Sequence, residues 1–158
     1  MVAANVIDRM WMVPLPFGFA VPAGVFFFAP LFTLRDRIQF DRGARYVYAL
    51  IALTGVLGWL TGLATGLSLF ARVSLAGLAA FVISEALETV VFSAINKPFV
   101  PRSLIANIIA ALVDSIVFIS LAFGFQSRII LGQWIIKIII STLVIPLVKP
   151  KPKVSTPV

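Results

Sequence analysis

Long apolar runs separated by short polar stretches set the layout of this chain. From Met10 to Leu34 there is no charged residue, but Pro14, Pro16, Pro22 and Pro30 divide the run and Gly18 and Gly24 loosen it. Proline removes a backbone donor, and in lipid the group it leaves behind must be satisfied in some other way. The pattern therefore predicts an irregular Pro-rich lead-in and then a helix over about 19–34. Residues 35–45, with Arg35, Asp36, Arg37, Asp41, Arg42 and Arg45, predict a polar loop. Further helices are expected over about 46–66, 73–95, 103–125 and 129–148. Arg72 marks the turn before the second of these, and Asn96, Lys97, Pro98, Pro101 and Arg102 close it. Residues 1–16 end in two prolines and reach about 24 Å as a helix, short of the roughly 30 Å hydrocarbon layer. The expected fold is all-α: a polytopic transmembrane bundle with five full crossings and a short or truncated first helix. Residues 1–148 form its one domain, and 149–158 a basic cytoplasmic tail.

Composition sharpens this picture. With 61% hydrophobic residues among 158 and a mean hydropathy of +1.09, the chain is built for lipid and leaves little length for anything outside it. A net charge of +7 would point to nucleic acid in a soluble protein. Here the basic residues alternate between the connections, which is a topology signal, and no nucleic-acid partner is expected. No basic region precedes the first apolar stretch, so no signal peptide is expected. There is no cysteine and no histidine, which excludes disulfides, thiol catalysis and the common zinc sites. No metal and no cofactor is expected. No catalytic motif or Gly-rich phosphate loop is present, so the chain does not read as an enzyme.

Against this background Glu85, Glu88, Asp114 and Lys137 stand near the middle of apolar runs. Each charge at a bilayer midplane costs about 2.5–3.5 kcal/mol, so four uncompensated charges would cost on the order of 10–14 kcal/mol, comparable with the roughly 5–15 kcal/mol net stability of a domain. They must pair, face a wet cavity, or hold a polar solute. Glu85 and Glu88, three apart, share a helix face with Ser84 beside them. Asn107 and Asp114, seven apart, share another, with Ala110 and Ala111 between them for close helix approach. Gln133, Lys137 and Ser141 form a stripe at intervals of four. One alternative is a purely structural clamp in which Lys137 neutralises one carboxylate and the others are protonated. The other is a binding cavity, walled by Phe81, Phe92, Phe118 and Trp134, rings that packing alone would also explain. Gly58, Gly62 and Gly66 repeat a small residue every four positions, which suits close helix packing within the bundle or between protomers. The lysines of the tail suit either solvent or anionic lipid.

Several stretches, read in order, resemble the queuosine precursor transporter family, also called the VUT family. They are Val2-Ala-Ala-Asn5; Val21-Pro-Ala-Gly24, running through Thr33-Leu-Arg-Asp36 to Gln39; Ile83-Ser-Glu-Ala-Leu-Glu-Thr89; and Ala106-Asn-Ile-Ile-Ala-Ala-Leu-Val-Asp-Ser115, followed by Phe118 and Ala122-Phe-Gly124. The resemblance implies a six-helix bundle that imports 7-cyano- or 7-aminomethyl-7-deazaguanine (preQ0 or preQ1). It also implies functional weight on Asp36, Glu85, Glu88, Asn107, Asp114 and Lys137. Glu88 stands where members commonly carry aspartate, and Asn5 falls nearer the start than the family pattern places it. A deazaguanine presents a ring N–H beside an exocyclic amine, a pair that one carboxylate accepts, and a carbonyl that wants a donor. Glu85, Glu88 or Asp114 suits the first, and Asn107, Gln133 or Lys137 the second, while Phe92, Phe118 or Trp134 would stack on the ring. Asp36 would line the mouth of the cavity. Two alternatives remain: within transport, a substrate-capture component for another vitamin-like molecule, and, from a different class, a small holin-like pore former.

Arg35, Arg37, Arg42, Arg45, Lys97, Arg102, Lys149, Lys151 and Lys153 fall on one side of the expected topology, against Arg9, Arg72 and Arg128 on the other. That asymmetry places the first group, and the C-terminus, in the cytoplasm of a cell whose inner membrane holds the chain. Because the chain has no cysteine, single cysteines report cleanly. Cysteine at positions 42, 97 or 151 should react with an impermeant maleimide only after permeabilisation, and at 72 or 128 in intact cells. The opposite labelling would invert the topology.

Overall fold

A computed structural model describes residues 12–64 and 69–150. A short antiparallel hairpin, β1 (Met12–Pro14) and β2 (Ala20–Pro22), precedes α1 (Val25–Arg42), α2 (Ala44–Ala64), α3 (Leu69–Ala94), α4 (Phe99–Phe123) and α5 (Ser127–Val148). Neighbours in sequence pack as neighbours in space from α2 through to α5. The first helix then packs on α5 and also reaches α2, α3 and α4, so the bundle closes on itself.

The bundle is polar inside and apolar outside. On α4 the inward face reads Ser103, Ala106, Asn107, Ala110, Ala111, Asp114, Ser115 and Ile119, and on α5 it includes Gly132, Gln133, Lys137 and Ser141. Leu131, Ile135, Ile139, Leu143 and Leu147 point away from the bundle, the last two 68% and 83% exposed. Water would penalise so continuous an apolar surface, whereas lipid does not. Small inward residues let helices approach closely: a Cβ added at Gly77 on α3 would lie 3.7 Å from the Phe118 ring on α4.

Among the described residues three stretches are long and apolar enough to cross a membrane, Leu75–Ala94, Phe99–Phe123 and Ser127–Val148. α2 is apolar over the shorter Ala44–Leu57. The first short helix expected from the sequence falls mostly on residues 1–11, outside the described residues, as do Gly66, the surroundings of Gly58 and Gly62, and the tail from 151 on.

Two sequence expectations need correction. Helix α1 starts at Val25, because Met12 to Pro22 fold back as a hairpin in which Val13 pairs with Val21 and the Leu15 amide donates to the Phe19 carbonyl at 2.8 Å. The left-handed φ of +75° at Gly18 makes its turn. Residues 35–42 are helix and not loop. The charged residues stay helical because Arg35 and Asp36 turn inward onto polar partners, while Arg37 and Asp41 pair one turn apart at 2.7 Å on the exposed side. Only Gly43, at φ +85°, separates α1 from α2, and its amide closes on the Gln39 carbonyl at 2.8 Å. Arg35 is therefore a core residue and leaves the count of surface charges.

Non-helical backbone is tolerated at membrane depth only where protein covers it. The hairpin meets that condition by docking on α5. A Cβ at Gly132 would lie 3.3 Å from Val21 Cγ1 and 3.4 Å from Phe19 Cβ, and Val21 is wholly buried. Gly132→Leu should overpack this contact at a cost of about 1–3 kcal/mol, lowering Tm by about 2–12 °C for a chain of this size. Ile135→Leu on the lipid face should leave Tm unchanged. Equal melting of both variants in detergent would show that the hairpin does not rest on Gly132.

Candidate functional site

Helical spacing on α1 brings Thr33, Asp36 and Gln39 to the inner face with Phe32, and the long Arg35 side chain reaches in beside them. Its guanidinium is the hub of the polar interior. Nη2 meets Asp36 Oδ1 at 2.8 Å and Glu88 Oε1 at 3.1 Å, and Nε meets Glu85 Oε2 at 2.9 Å. Nη1 donates to Thr89 Oγ1 at 2.7 Å, to Gln39 Oε1 at 3.2 Å and to the Glu85 carbonyl at 3.4 Å. A planar fork of five N–H groups suits this many acceptors, and an ammonium would not. Gln39 in turn donates to the Thr89 carbonyl and to Ser93 Oγ, both at 3.0 Å. The contact ties α1 to α3.

Helix α4 completes the cluster from the other side. Ser103 Oγ donates to Asp36 Oδ2, as does Asn107 Nδ2 at 2.7 Å. One turn farther from the Gly43 and Pro98 end of the bundle is a second pair, Lys137 Nζ on Asp114 Oδ2. Ser84 donates to Asp114 Oδ1 at 3.4 Å, so one face of α3 serves both groups through adjacent residues, Ser84 and Glu85. Asp114 is also close enough for its charge to act on Glu85. The ammonium lies 5.6 Å from the centre of the Phe32 ring, a weak cation–π contact.

The structure thus brings together Asp36, Glu85, Glu88 and Asn107 around Arg35, with Asp114 and Lys137 adjoining. Lys137 neutralises Asp114, and the glutamates have a different cation. Gln133 is buried one turn from Lys137 with Oε1 unpartnered. The three rings lie differently. Phe92 belongs to an apolar cluster with Phe99, Ala106 and Ile145, and Arg102 lies 4.0 Å over its face while donating to its carbonyl. Phe118 packs edge-on to Phe123 with centroids 5.9 Å apart. Trp134 is half-buried, its Nε1 donating to the Ile108 carbonyl at 3.0 Å. Among the described residues no group of three His, Cys, Asp or Glu side chains is placed to hold a metal ion.

Sequence reasoning missed Arg35, Gln39, Thr89 and Ser103. The signal available was periodic: Thr33, Asp36 and Gln39 recur every three residues, and Glu85 with Thr89 and Ser103 with Asn107 every four.

Removing the hub cation strands its carboxylates in a low-dielectric interior. Arg35→Met should cost about 3–5 kcal/mol. Arg37→Met, which breaks a part-exposed pair with Asp41 and one bond to the Val148 carbonyl, should change stability by no more than about 1 kcal/mol. Thermal unfolding of the two variants in detergent compares them directly, and equal Tm values would deny Arg35 its central role.

No curated protein and no solved structure matches this chain. The family model described as "Putative vitamin uptake transporter" matches residues 22–149, from the end of the hairpin through all five helices. With its polar interior, apolar exterior and that match across most of its length, the chain belongs to the vitamin uptake transporter family.

Proposed function

We propose that this membrane protein imports a queuosine precursor, 7-cyano- or 7-aminomethyl-7-deazaguanine, into the cytoplasm, holding it between α3, α4 and α5. The observation that carries this reading is the surplus of buried acceptors. Gln133 Oε1, Asn107 Oδ1 and Glu88 Oε2 have no N–H or O–H donor among the described residues, and carboxylates outnumber cations around them. Unpaired buried acceptors are costly, and a ligand rich in N–H groups relieves that cost. A deazaguanine offers a ring N–H and an exocyclic amine side by side for Glu85 or Asp114. Its carbonyl would accept from Lys137 or from the Gln133 amide, and Trp134, the residue after Gln133, would stack on its ring. The resemblance of the Ile83–Thr89 and Ala106–Ser115 stretches to queuosine precursor transporters adds the substrate's identity.

The orientation proposed is C-terminus inside the cell, in the inner membrane. Arg37, Arg42, Arg45, Lys97, Arg102 and Lys149 gather at one end of the bundle, where Arg37 donates to the Val148 carbonyl, and Arg72 and Arg128 lie at the other. The family's description favours one second reading, capture of a different vitamin-like molecule.

Cells unable to make deazaguanines should accumulate labelled precursor only when they carry this gene, with saturation and no loss of membrane potential. Glu85→Gln and Asp114→Asn should each reduce uptake at least tenfold while the protein still reaches the membrane, because an amide NH2 then faces the substrate's own donors. Lys137→Met should reduce both uptake and protein level, since it leaves Asp114 buried without its cation. Normal uptake by all three variants would remove the site. Depolarisation without saturable uptake would make the chain a pore.

A further inference from the structure

The Arg35 cluster does not balance its charge. Asp36 on α1 and Glu85 and Glu88 on α3 bring three carboxyl groups to one guanidinium, and Lys137 on α5 is committed to Asp114 on α4. Arg102 on α4 feels the Asp36 charge, but its guanidinium is half-exposed and engaged with the carbonyl and ring of Phe92. The basic residue of α2, Arg45, is exposed. Even counting Arg102, three carboxylates exceed the cations, and an uncompensated buried charge costs several kcal/mol.

A second observation is independent of that count. The Asp36 and Glu88 carboxyls meet on a single nitrogen, Arg35 Nη2, at 2.8 Å and 3.1 Å. Glu88 is wholly buried, and its Oε2 receives no N–H or O–H from any group among the described residues. Asn107 gives its Nδ2 to Asp36 and keeps Oδ1 unpartnered beside it. Two carboxylates held on one nitrogen in a dry interior repel each other, and a proton on either of them relieves that repulsion and supplies the missing donor.

We propose that the Asp36–Glu88 pair is a proton-binding site, and that one proton taken up there from the outer side and released to the cytoplasm accompanies each substrate molecule inward. The coupling half rests on the import reading above. Arg35 supplies the link, since the same guanidinium holds Glu85 through Nε and the Asp36–Glu88 pair through Nη2. A ligand whose donors occupy Glu85 changes how much of that cation the pair receives, and so changes its hold on the proton. In the transfer an O–H bond forms on one carboxylate, is shared with the other, and breaks when water on the cytoplasmic side takes the proton. No oxidation or other reactant is involved.

Two measurements on the full-length protein in lipid test this. Infrared spectra without substrate should show the C=O stretch of a protonated carboxylic acid near neutral pH. The band should be lost in Glu88→Gln and retained in Asp41→Asn, whose carboxylate is exposed and paired with Arg37. Asp36→Asn serves as the second variant if Glu88→Gln does not accumulate, with the same loss expected. Absence of the band in the unsubstituted protein, or its survival in both cluster variants, would overturn the site. In proteoliposomes with the membrane potential clamped at zero, steady-state accumulation of labelled 7-cyano-7-deazaguanine should rise about tenfold per unit of inward proton gradient. The rise should vanish in Glu88→Gln. Uptake that ignores the gradient would overturn the coupling and leave the import reading intact. Failure to take up the base under any gradient would count against that substrate instead, and the infrared band would then decide the proton site alone.

Discussion

One buried guanidinium organises the interior of this protein. Arg35 reaches three carboxyl groups, a threonine hydroxyl, a glutamine carbonyl and a main-chain carbonyl from a single position on α1. Without a cation there, Asp36, Glu85 and Glu88 could not share so small a space in a medium where each isolated charge costs several kcal/mol. With it, they become the reason α1 and α3 hold a fixed register, because Gln39 also spans to Thr89 and Ser93. Lipid supplies no hydrophobic force to press helices together, so packing and polar contacts of this kind carry the association.

The two ends of the seam are closed by different means. One turn beyond the cluster, Phe40, Phe92 and Phe99 meet edge to face, with centroids 5.5 and 6.2 Å apart, and Arg102 lies over Phe92. At the opposite half of α5 the hairpin is seated on Gly132, next to Gln133. An aromatic layer excludes water without polar cost, and a hairpin leaves backbone groups that must be covered, which is why it needs a glycine beneath it. Between these closures lie the residues with unspent hydrogen-bonding capacity, Gln133 Oε1, Asn107 Oδ1 and Glu88 Oε2. A transporter must bind its solute out of water and let it go again, and an interior left partly unsatisfied suits that cycle better than a sealed one.

How much of this is legible in the sequence differs from element to element. The helices α3, α4 and α5 are, within a few residues, because long apolar runs bounded by Pro98, Gly124 and charged turns have few other solutions in lipid. Glu85, Glu88, Asn107, Asp114 and Lys137 stand out as well, since a polar residue inside such a run carries an energetic penalty visible without coordinates. Arg35 does not. It lies in a run with Asp36, Arg37, Asp41 and Arg42, where charge density argues for solvent, and only the partners on α3 make burial affordable.

The sequence by itself determined that the chain lives in a membrane, which helices are longest, and which ionisable residues needed an explanation, because hydropathy and spacing are local properties summed along the chain. Tertiary structure alone decided which cation answers which carboxylate, that residues 35–42 continue a helix, and that Met12 to Pro22 fold back as a hairpin against Gly132. Those outcomes depend on groups fifty or a hundred residues apart. A charge's cost is set by what surrounds it, and no local pattern carries that information.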